Sequence, residues 1–353
     1  MRRAVLAACL TLAACMPAHG QPNLTLLGKT QLPHGFSFEG TTVGGLSGLS
    51  YDSGQQLYYV ISDDRSERSP ARFYTVRIPL ADNQLHDVQF VGTQPLLDPR
   101  GHVYPFGSLD PEGIAFDGRR HQLYWSSEGE RAPDESVLIN PWVRICALDG
   151  TYRGEFTMPP MLAMSAQQTG PRRNRTLEGL TLTPSGRFVW AAMEWPRYDD
   201  GEPPTADKGA LTRITKFDVA TGAATAQYAY PLDPITAPAG EDNGLSDLVA
   251  LDDDTFLVIE RSHGTRNVAR IYRASVAGTD DVLDRPSLQG APLTPMSKTL
   301  VADLSTIPEV QPLDNVEGIT LGPKLSDGRQ SVVLVTDDNF SPDQETQFYA
   351  FAL

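Results

Sequence analysis

Short apolar runs recur along this chain, each rich in β-branched and aromatic residues and bounded by Gly, Pro, Asp or Asn. Such runs predict strands punctuated by turns. No long run carries the 3.6-residue hydrophobic period of an amphipathic helix. The runs also recur as sets. Five segments share one pattern: GGLSGLSYD (44–52), LDPEGIAFD (109–117), RTLEGLTLT (175–183), NGLSDLVAL (243–251) and DNVEGITLG (314–322). With Gly48, Gly113, Gly179, Asp247 and Gly318 as anchors, the spacings are 65, 66, 68 and 71 residues. Each anchor is followed by a second apolar run that ends in acids: LYYVISDD (57–64), LYWSSEGE (123–130), FVWAAMEW (188–195), FLVIER (256–261) and VVLVTDDN (332–339). A third run follows each second one, and a fourth precedes each unit.

Four strands per unit, repeated radially, predict an all-β fold, a β-propeller of five or six four-stranded blades. Five units are countable, and a sixth, degenerate blade has room in the long loops 162–177 and 279–297. The incomplete ends, Leu24–Leu32 and Thr346–Leu353, are expected to complete one blade together and close the ring. The repeat makes residues 21–353 a single expected domain.

The first strand of a propeller blade lies next to the central channel, and the second returns antiparallel to the same face. The start of one therefore neighbours the end of the other. This places Glu112 beside Glu128, Glu178 beside Glu194, and Glu317 beside Asp337 and Asp338, with Asp63, Asp64, Asp247 and Glu260 on the same rim. Carboxylates at that density need raised pKa values, paired cations or bound metal. Arg65, Arg175 and Arg261 are near enough in sequence to pair with some. An oxygen-only donor set suits a hard cation, Ca2+ above all in an exported protein. The expected metal contacts are Asp63, Asp64, Glu112, Glu128, Glu178, Glu194, Glu260, Glu317, Asp337 and Asp338. The alternative for each acid is a turn cap on its own blade edge. Glycine at the anchors is expected where a crowded channel leaves no room for a side chain.

Charge narrows the partners. The formal charge is −15, or −17 without the first 20 residues, which carry Arg2 and Arg3 and no acid. Such a surface repels nucleic acid and anionic lipid. The first 20 residues, MRRAVLAACLTLAACMPAHG, have the basic start and short apolar stretch of a signal peptide. Two cleavages compete: after Gly20, or before Cys15 in the lipobox-like Leu12-Ala13-Ala14-Cys15. The expected location is periplasmic or outer-membrane lipoprotein, otherwise secreted, with membrane contact only through an N-terminal lipid. Cys146 is then the lone remaining cysteine, in the strand-like VRICAL, and reads as a buried core thiol.

Several chemistries lack their motifs. There is no Gly-x-Ser-x-Gly elbow, no His-Glu-x-x-His zinc helix, no Walker loop and no EF-hand loop. Of six His, only His263 falls near the acidic face, where it reads as a turn residue. Arg172, Arg173 and Arg175 form the one dense basic spot, just before Glu178. They either pair with the acid ring or receive an anionic ester.

Taken together, SGLSYD with YYVISDDR, DPEGIAFD with LYWSSEGE, RTLEGLTLTPSGRFVWAAME, FLVIERS, and DNVEGITLGPKLSDGRQSVVLVTDDNF before TQFYAFAL resemble the phytase-like domain family, known as "esterase-like activity of phytase". The resemblance covers about 25–353, in order. It implies a β-propeller, usually exported from bacteria, and a relation to calcium-dependent propeller phytases, which hydrolyse phosphate monoesters. The dense Lys/Arg cleft of those enzymes is not evident in this sequence, so the acidic positions carry over and a catalytic mechanism does not. Two functions follow. One is a metal-assisted hydrolase of phosphate or related esters, in which a metal-activated water attacks and Arg172, Arg173 or Arg175 stabilises the developing charge. The other is a non-catalytic propeller that holds an unknown ligand or a protein at the same face.

Overall fold

The computed structural model describes residues 24–132, 134 and 136–353. Both signal-cleavage readings, at Cys15 and at Gly20, lie outside the described residues. Five four-stranded antiparallel sheets are arranged as a five-bladed β-propeller. Each blade is a meander whose first strand is innermost. In blade 1 the strands are Leu46–Asp52, Leu57–Ser62, Arg72–Arg77 and Gln89–Pro95. Blade 2 is Pro111–Asp117, Gln122–Ser127, Trp142–Ala147 and Tyr152–Glu155. Blade 3 is Leu177–Leu182, Phe188–Met193, Ala210–Asp218 and Ala223–Leu232. Blade 4 is Gly244–Ala250, Thr255–Ser262, Val268–Ser275 and Ser297–Asp303.

Blade 5 closes the ring. Its inner strands are Asn315–Lys324, Gln330–Asp337 and Gln347–Ala352, and its outermost strand is Thr25–Gln31 from the other end of the chain. The pairing runs from Thr25 opposite Ala352 to Gln31 opposite Gln347. The two ends thus share one blade, as the incomplete repeats predict.

The sequence left room for a sixth blade; the described residues form five. The long segment after Ser275 does not make another sheet. It lies along the outer strand of blade 3, where the Val282 and Met296 amides donate to the Gln227 and Ala229 carbonyls at 2.7 and 2.9 Å. Val282 and Leu288 pack with Ala229 there in a small cluster of their own.

The main core is divided among the five blade-to-blade interfaces. The strand Leu57–Ser62 shows why. Tyr58 and Val60 pack against Val333, Val335 and Phe348 of blade 5. Tyr59 and Ile61 pack against Ile114, Leu123 and Trp125 of blade 2. Side chains alternate across a strand, and here both faces are covered, so the sequence reads as a continuous apolar run. Cys146 sits in the same blade 1–2 interface, and burial pushes its thiol up to about 12.

The innermost strands approach so closely that the anchors must be small. A Cβ on Gly113 would lie 2.9 Å from the Glu178 carbonyl oxygen and the Leu180 nitrogen of blade 3. One on Gly48 would lie 2.7 Å from the Glu112 carbonyl oxygen, and one on Gly179 3.0 Å from the Asp247 Cα. Backbone cannot yield as a side-chain tip can. Gly113→Ala is therefore expected to cost about 1–3 kcal/mol. Gly154→Ala, where the new methyl would meet only Ile145 Cδ1 at 3.7 Å, should cost far less. Urea denaturation of the two variants checks this; equal midpoints would contradict the close-approach account.

Candidate functional site

One irregularity recurs in all five innermost strands. The pairing register shifts between Leu46 and Gly48, Pro111 and Ile114, Leu177 and Gly179, Leu245 and Asp247, and Val316 and Gly318. Each shift is a β-bulge, which inserts an extra residue and re-aims its side chain. The bulged positions are Ser47, Glu112, Glu178, Ser246 and Glu317. The serines are consumed by the fold: Ser47 Oγ donates to the Glu112 carbonyl at 3.0 Å and Ser246 Oγ to the Val316 carbonyl at 3.1 Å. The three glutamates line a cavity of about 440 Å³ at one channel mouth.

The same register identifies the second ring. Gly48 pairs with Ile61, Gly179 with Ala192, Asp247 with Ile259 and Gly318 with Val335. Two residues beyond those partners stand Asp63, Glu194, Arg261 and Asp337, with Glu128 in the corresponding place on blade 2. Blade 4 thus contributes an arginine where the others contribute an acid.

Glu260 is one residue out of step, and a one-residue offset on a strand sends a side chain to the opposite face. It accepts from Tyr230 Oη at 2.8 Å, the Asp233 amide at 2.9 Å and Asn243 Nδ2 at 3.1 Å, and pairs with Lys298. Glu260 is therefore a buried strut of the blade 3–4 side and does not line the cavity. Asp338 is likewise a turn residue, its Oδ1 accepting from the Gly45 and Phe340 amides at 2.9 and 3.0 Å. Asp64 borders the cavity, but its carboxylate is taken by Arg72 at 2.7 Å and by the Glu67, Arg68 and Ser69 amides. Asp247 is buried at the channel axis, accepting from the Leu180 and Leu248 amides at 3.2 and 2.7 Å and from the Ile319 amide at 2.8 Å. It ties blades 3, 4 and 5 together.

The remaining predicted acids do converge, joined by three the sequence reading passed over. Asp110 and Asp242 both line the mouth, as does the exposed Glu67. Asp110 stands three residues before Gly113, as Asn315 stands before Gly318, so aligning the repeats would have exposed it. Asp242 lies in the irregular connection into blade 4, where no repeat register applies. His263 lines the cavity as well, its amide donating to Asp242 at 3.1 Å.

Cations serve one side of the mouth better than the other. Arg261 reaches Glu194 of blade 3 at 3.4 Å and Glu317 of blade 5 at 3.5 Å. Arg175 pairs with Glu194 and Asp242, both at 3.0 Å, and lies over the Trp195 ring. Arg65 grips Asp110 and reaches Glu130 at 3.2 Å. Glu112 and Glu178 are 7% and 9% exposed, yet among the described residues their carboxylates have no hydrogen-bond or ion-pair partner. Glu128 is 1% exposed; one oxygen accepts from the Thr176 amide, while Oε2 is buried with no partner among the described residues. Asp110, Glu112 and Glu128 can each bring an oxygen within 4.8 Å of the others. Such an all-oxygen set, in which Asp110 is held by Arg65 while Glu112 and one oxygen of Glu128 have no partner among the described residues, fits a hard divalent cation.

Of the basic spot, only Arg175 lines the cavity. Arg172 donates to the Pro196 and Gly201 carbonyls and stacks on Tyr198. Arg173 is half exposed and pairs with Glu130 at 2.7 Å.

Burial, reinforced by neighbouring carboxylates, holds Asp63, Glu112, Glu178 and Asp337 well above the ordinary carboxylate range. For Asp110, burial outweighs the Arg65 ion pair and the value rises to about 7. Burial and the charges of Asp110 and Glu194 bring Glu128 to about 8.

With this geometry in place, comparison with known proteins decides the family. Residues 41–340 match the phytase-like family, described as "Esterase-like activity of phytase". The chain belongs to that family. No curated protein matches it. Among solved structures, hydrazine synthase of Kuenenia stuttgartiensis is 13% identical with a TM-score of 0.36, over 87% of this chain and 62% of that one. This chain thus spans less than two thirds of that structure's chain. A luciferin-regenerating enzyme is 10% identical with a TM-score of 0.41, over 88% and 92%. An exo-β-1,3-galactanase from Phanerochaete chrysosporium is 12% identical with a TM-score of 0.46, over 93% and 64%.

Raised carboxyl values have a sign that can be checked. The folded protein binds protons that the unfolded chain releases, so their stabilising share is full below the ordinary values and lost as pH rises through the folded ones. For Asp110 and Glu128 that window runs from about 4 to about 8. In chelator, the melting temperature should fall as pH rises across this window. Ca2+ should restore it, with about 2.7 kcal/mol of added stability at 100 times the dissociation constant. Glu112→Gln and Glu128→Gln should remove most of the Ca2+ response. A melting curve indifferent to Ca2+ at pH 8 would leave the mouth acids without a metal role.

Proposed function

We propose that this phytase-like propeller is an exported hydrolase of phosphate or related esters, assisted by a divalent cation, Ca2+ first among candidates, at its acidic mouth. One observation carries the proposal: the buried, partnerless Oε2 of Glu128, next to Asp110 and the equally unpaired Glu112. A buried carboxylate oxygen left without any donor is costly unless something positive occupies the space beside it. Asp110, Glu112 and Glu128 would hold the cation, with Glu178 and Asp63 facing the same cavity. A bound divalent cation supplies positive charge that draws in an ester's oxygens and stabilises charge developing there.

The chain's own residues set the stage for that chemistry. Arg65 donates to both oxygens of Asp110, and the Thr176 amide fixes one oxygen of Glu128, so both carboxylates are held in place before any ion arrives. Arg261 and Arg175 neutralise Glu194 and Glu317 on the far side, concentrating the uncompensated charge near blades 1 to 3. The Arg172–Arg173–Arg175 trio is not carried forward as the substrate contact, because its members are spent on carbonyls and carboxylates. Export, through a cleaved signal or a lipid on Cys15, belongs to the same proposal.

A second reading is a non-catalytic binding propeller. It is favoured by the engagement of Arg65, Arg175 and Arg261, whose charges are already matched by carboxylates of the mouth. A hydrolysis screen separates the readings, using phytate, p-nitrophenyl phosphate and p-nitrophenyl acetate with Ca2+ and with chelator. The hydrolase reading expects phosphate release that needs Ca2+ and falls at least about 10-fold in Glu112→Gln, the scale on which even outer partners of a metal act. No turnover on any substrate, with Ca2+ binding intact, would transfer the site to the binding reading.

A further inference from the structure

Four arginines line the mouth cavity: Arg65, Arg68, Arg175 and Arg261. Three are consumed by carboxylates. Arg68 is different. Its backbone amide donates to Asp64 Oδ1 at 3.1 Å, which fixes the start of the side chain. Its guanidinium has no carboxylate within ion-pair distance among the described residues; it lies over the Phe340 ring, 4.6 Å from the centroid.

The ring is itself fixed in place. Asn339 and Phe340 both have positive φ, 46° and 51°, a conformation that non-glycine residues adopt at a cost. Asp337 and Asp338 hold that turn by accepting from the Asn339 and Phe340 amides at 2.7 and 3.0 Å. Across from it, Gly44 and Gly45 leave the space the ring fills: a Cβ on Gly44 would lie 2.8 Å from Phe340 Cδ1, and one on Gly45 2.7 Å from Phe340 Cε2. Two glycines, a strained turn and two aspartates are thus arranged around one ring, and the ring carries one unpaired arginine.

We propose that Arg68 is the anion-binding residue of this site, receiving the phosphoryl group of a phosphate monoester, and that Phe340 is its positioning residue. The inference rests on the ester-hydrolase reading for its ligand class, but not on the metal. A planar guanidinium presents paired N–H donors matched to phosphate oxygens. Stacking on an aromatic face satisfies its flat side and leaves those in-plane donors free. Arg68 is exposed at the rim, where an incoming anion meets it before the carboxylates. It therefore does for an anionic ligand what the sequence assigned to Arg172, Arg173 and Arg175.

Isothermal titration of the full chain with phenyl phosphate tests this, with and without saturating Ca2+, alongside a separate Ca2+ titration. Arg68→Gln should weaken phenyl phosphate about 10- to 100-fold, the range for a lost hydrogen-bonded charge contact. Arg68→Lys should recover part of the affinity, since it restores charge without the fork. Phe340→Leu should weaken it about 3- to 10-fold while keeping bulk. Arg173→Gln should leave it unchanged, and none of these variants should lower Ca2+ affinity. Wild-type affinity in Arg68→Gln, a loss in Arg173→Gln instead, or no phenyl phosphate binding by wild type in either condition would overturn the inference. Failure of Ca2+ to bind, with phenyl phosphate binding still dependent on Arg68, would remove the metal reading and leave this one standing.

Discussion

Everything at the channel mouth depends on how closely five innermost strands approach one axis. Four of the five anchors have no room for a Cβ and are glycine. Where the anchor carries no side chain, the bulge just before it decides what the channel sees. Three of those bulged residues are glutamates, brought together from blades that are far apart in sequence. Their proximity is imposed by the ring. Individual acids cannot move apart without opening the strand packing that the blade interfaces stabilise.

That constraint sets up an electrostatic problem which the fold solves on one side only. Blade 4 departs from the repeat twice. Asp247 replaces the anchor glycine and binds amides of blades 3, 4 and 5. Arg261 replaces the ring acid and reaches the acids of both neighbouring blades. The arc from blade 3 to blade 5 is thereby knit together. Among the described residues, the arc from blade 1 to blade 3 has no arginine paired with Glu112, Glu178 or the second oxygen of Glu128. The asymmetry locates the uncompensated acids more narrowly than a count of acids does.

Much of this was legible in the sequence. Strand order, radial repetition and the shared blade of the two termini followed from the spacing of apolar runs, because strand periodicity is a local signal. Blade number was not settled by those runs, since the loops 162–177 and 279–297 are long enough to hold a degenerate sheet, and the second packs instead along blade 3. The acid ring was legible for the blades whose second strand keeps the 15-residue interval, giving Asp63, Glu128 and Glu194. Blade 4 lost that interval, and Glu260 was read for Arg261. Asp338 was misplaced for a related reason: adjacent acids at a strand end point to opposite sides, and composition cannot tell which one faces the channel. Asp64 does border the cavity, but its carboxylate is taken by Arg72 and by backbone amides. Phe340 and Arg68 left no sequence signal, because their contact joins the loop after one blade's second strand to the same loop of the next.

An arginine that is to receive an anion at a strongly acidic mouth faces a constraint. A cation placed among the ring acids is drawn into ion pairs, as Arg65, Arg175 and Arg261 are. To remain available, an arginine must be held by something other than a carboxylate. An aromatic ring provides that, since its attraction for the guanidinium face does not compete for the N–H edge. The ring must then be fixed by backbone and packing, and at Phe340 it is, by the aspartate-capped turn on one side and the Gly44–Gly45 gap on the other. Deep acids able to gather a metal and a rim arginine kept apart from them are therefore compatible parts of one site: the first supplies charge density at the centre, and the second keeps a donor free at the entrance.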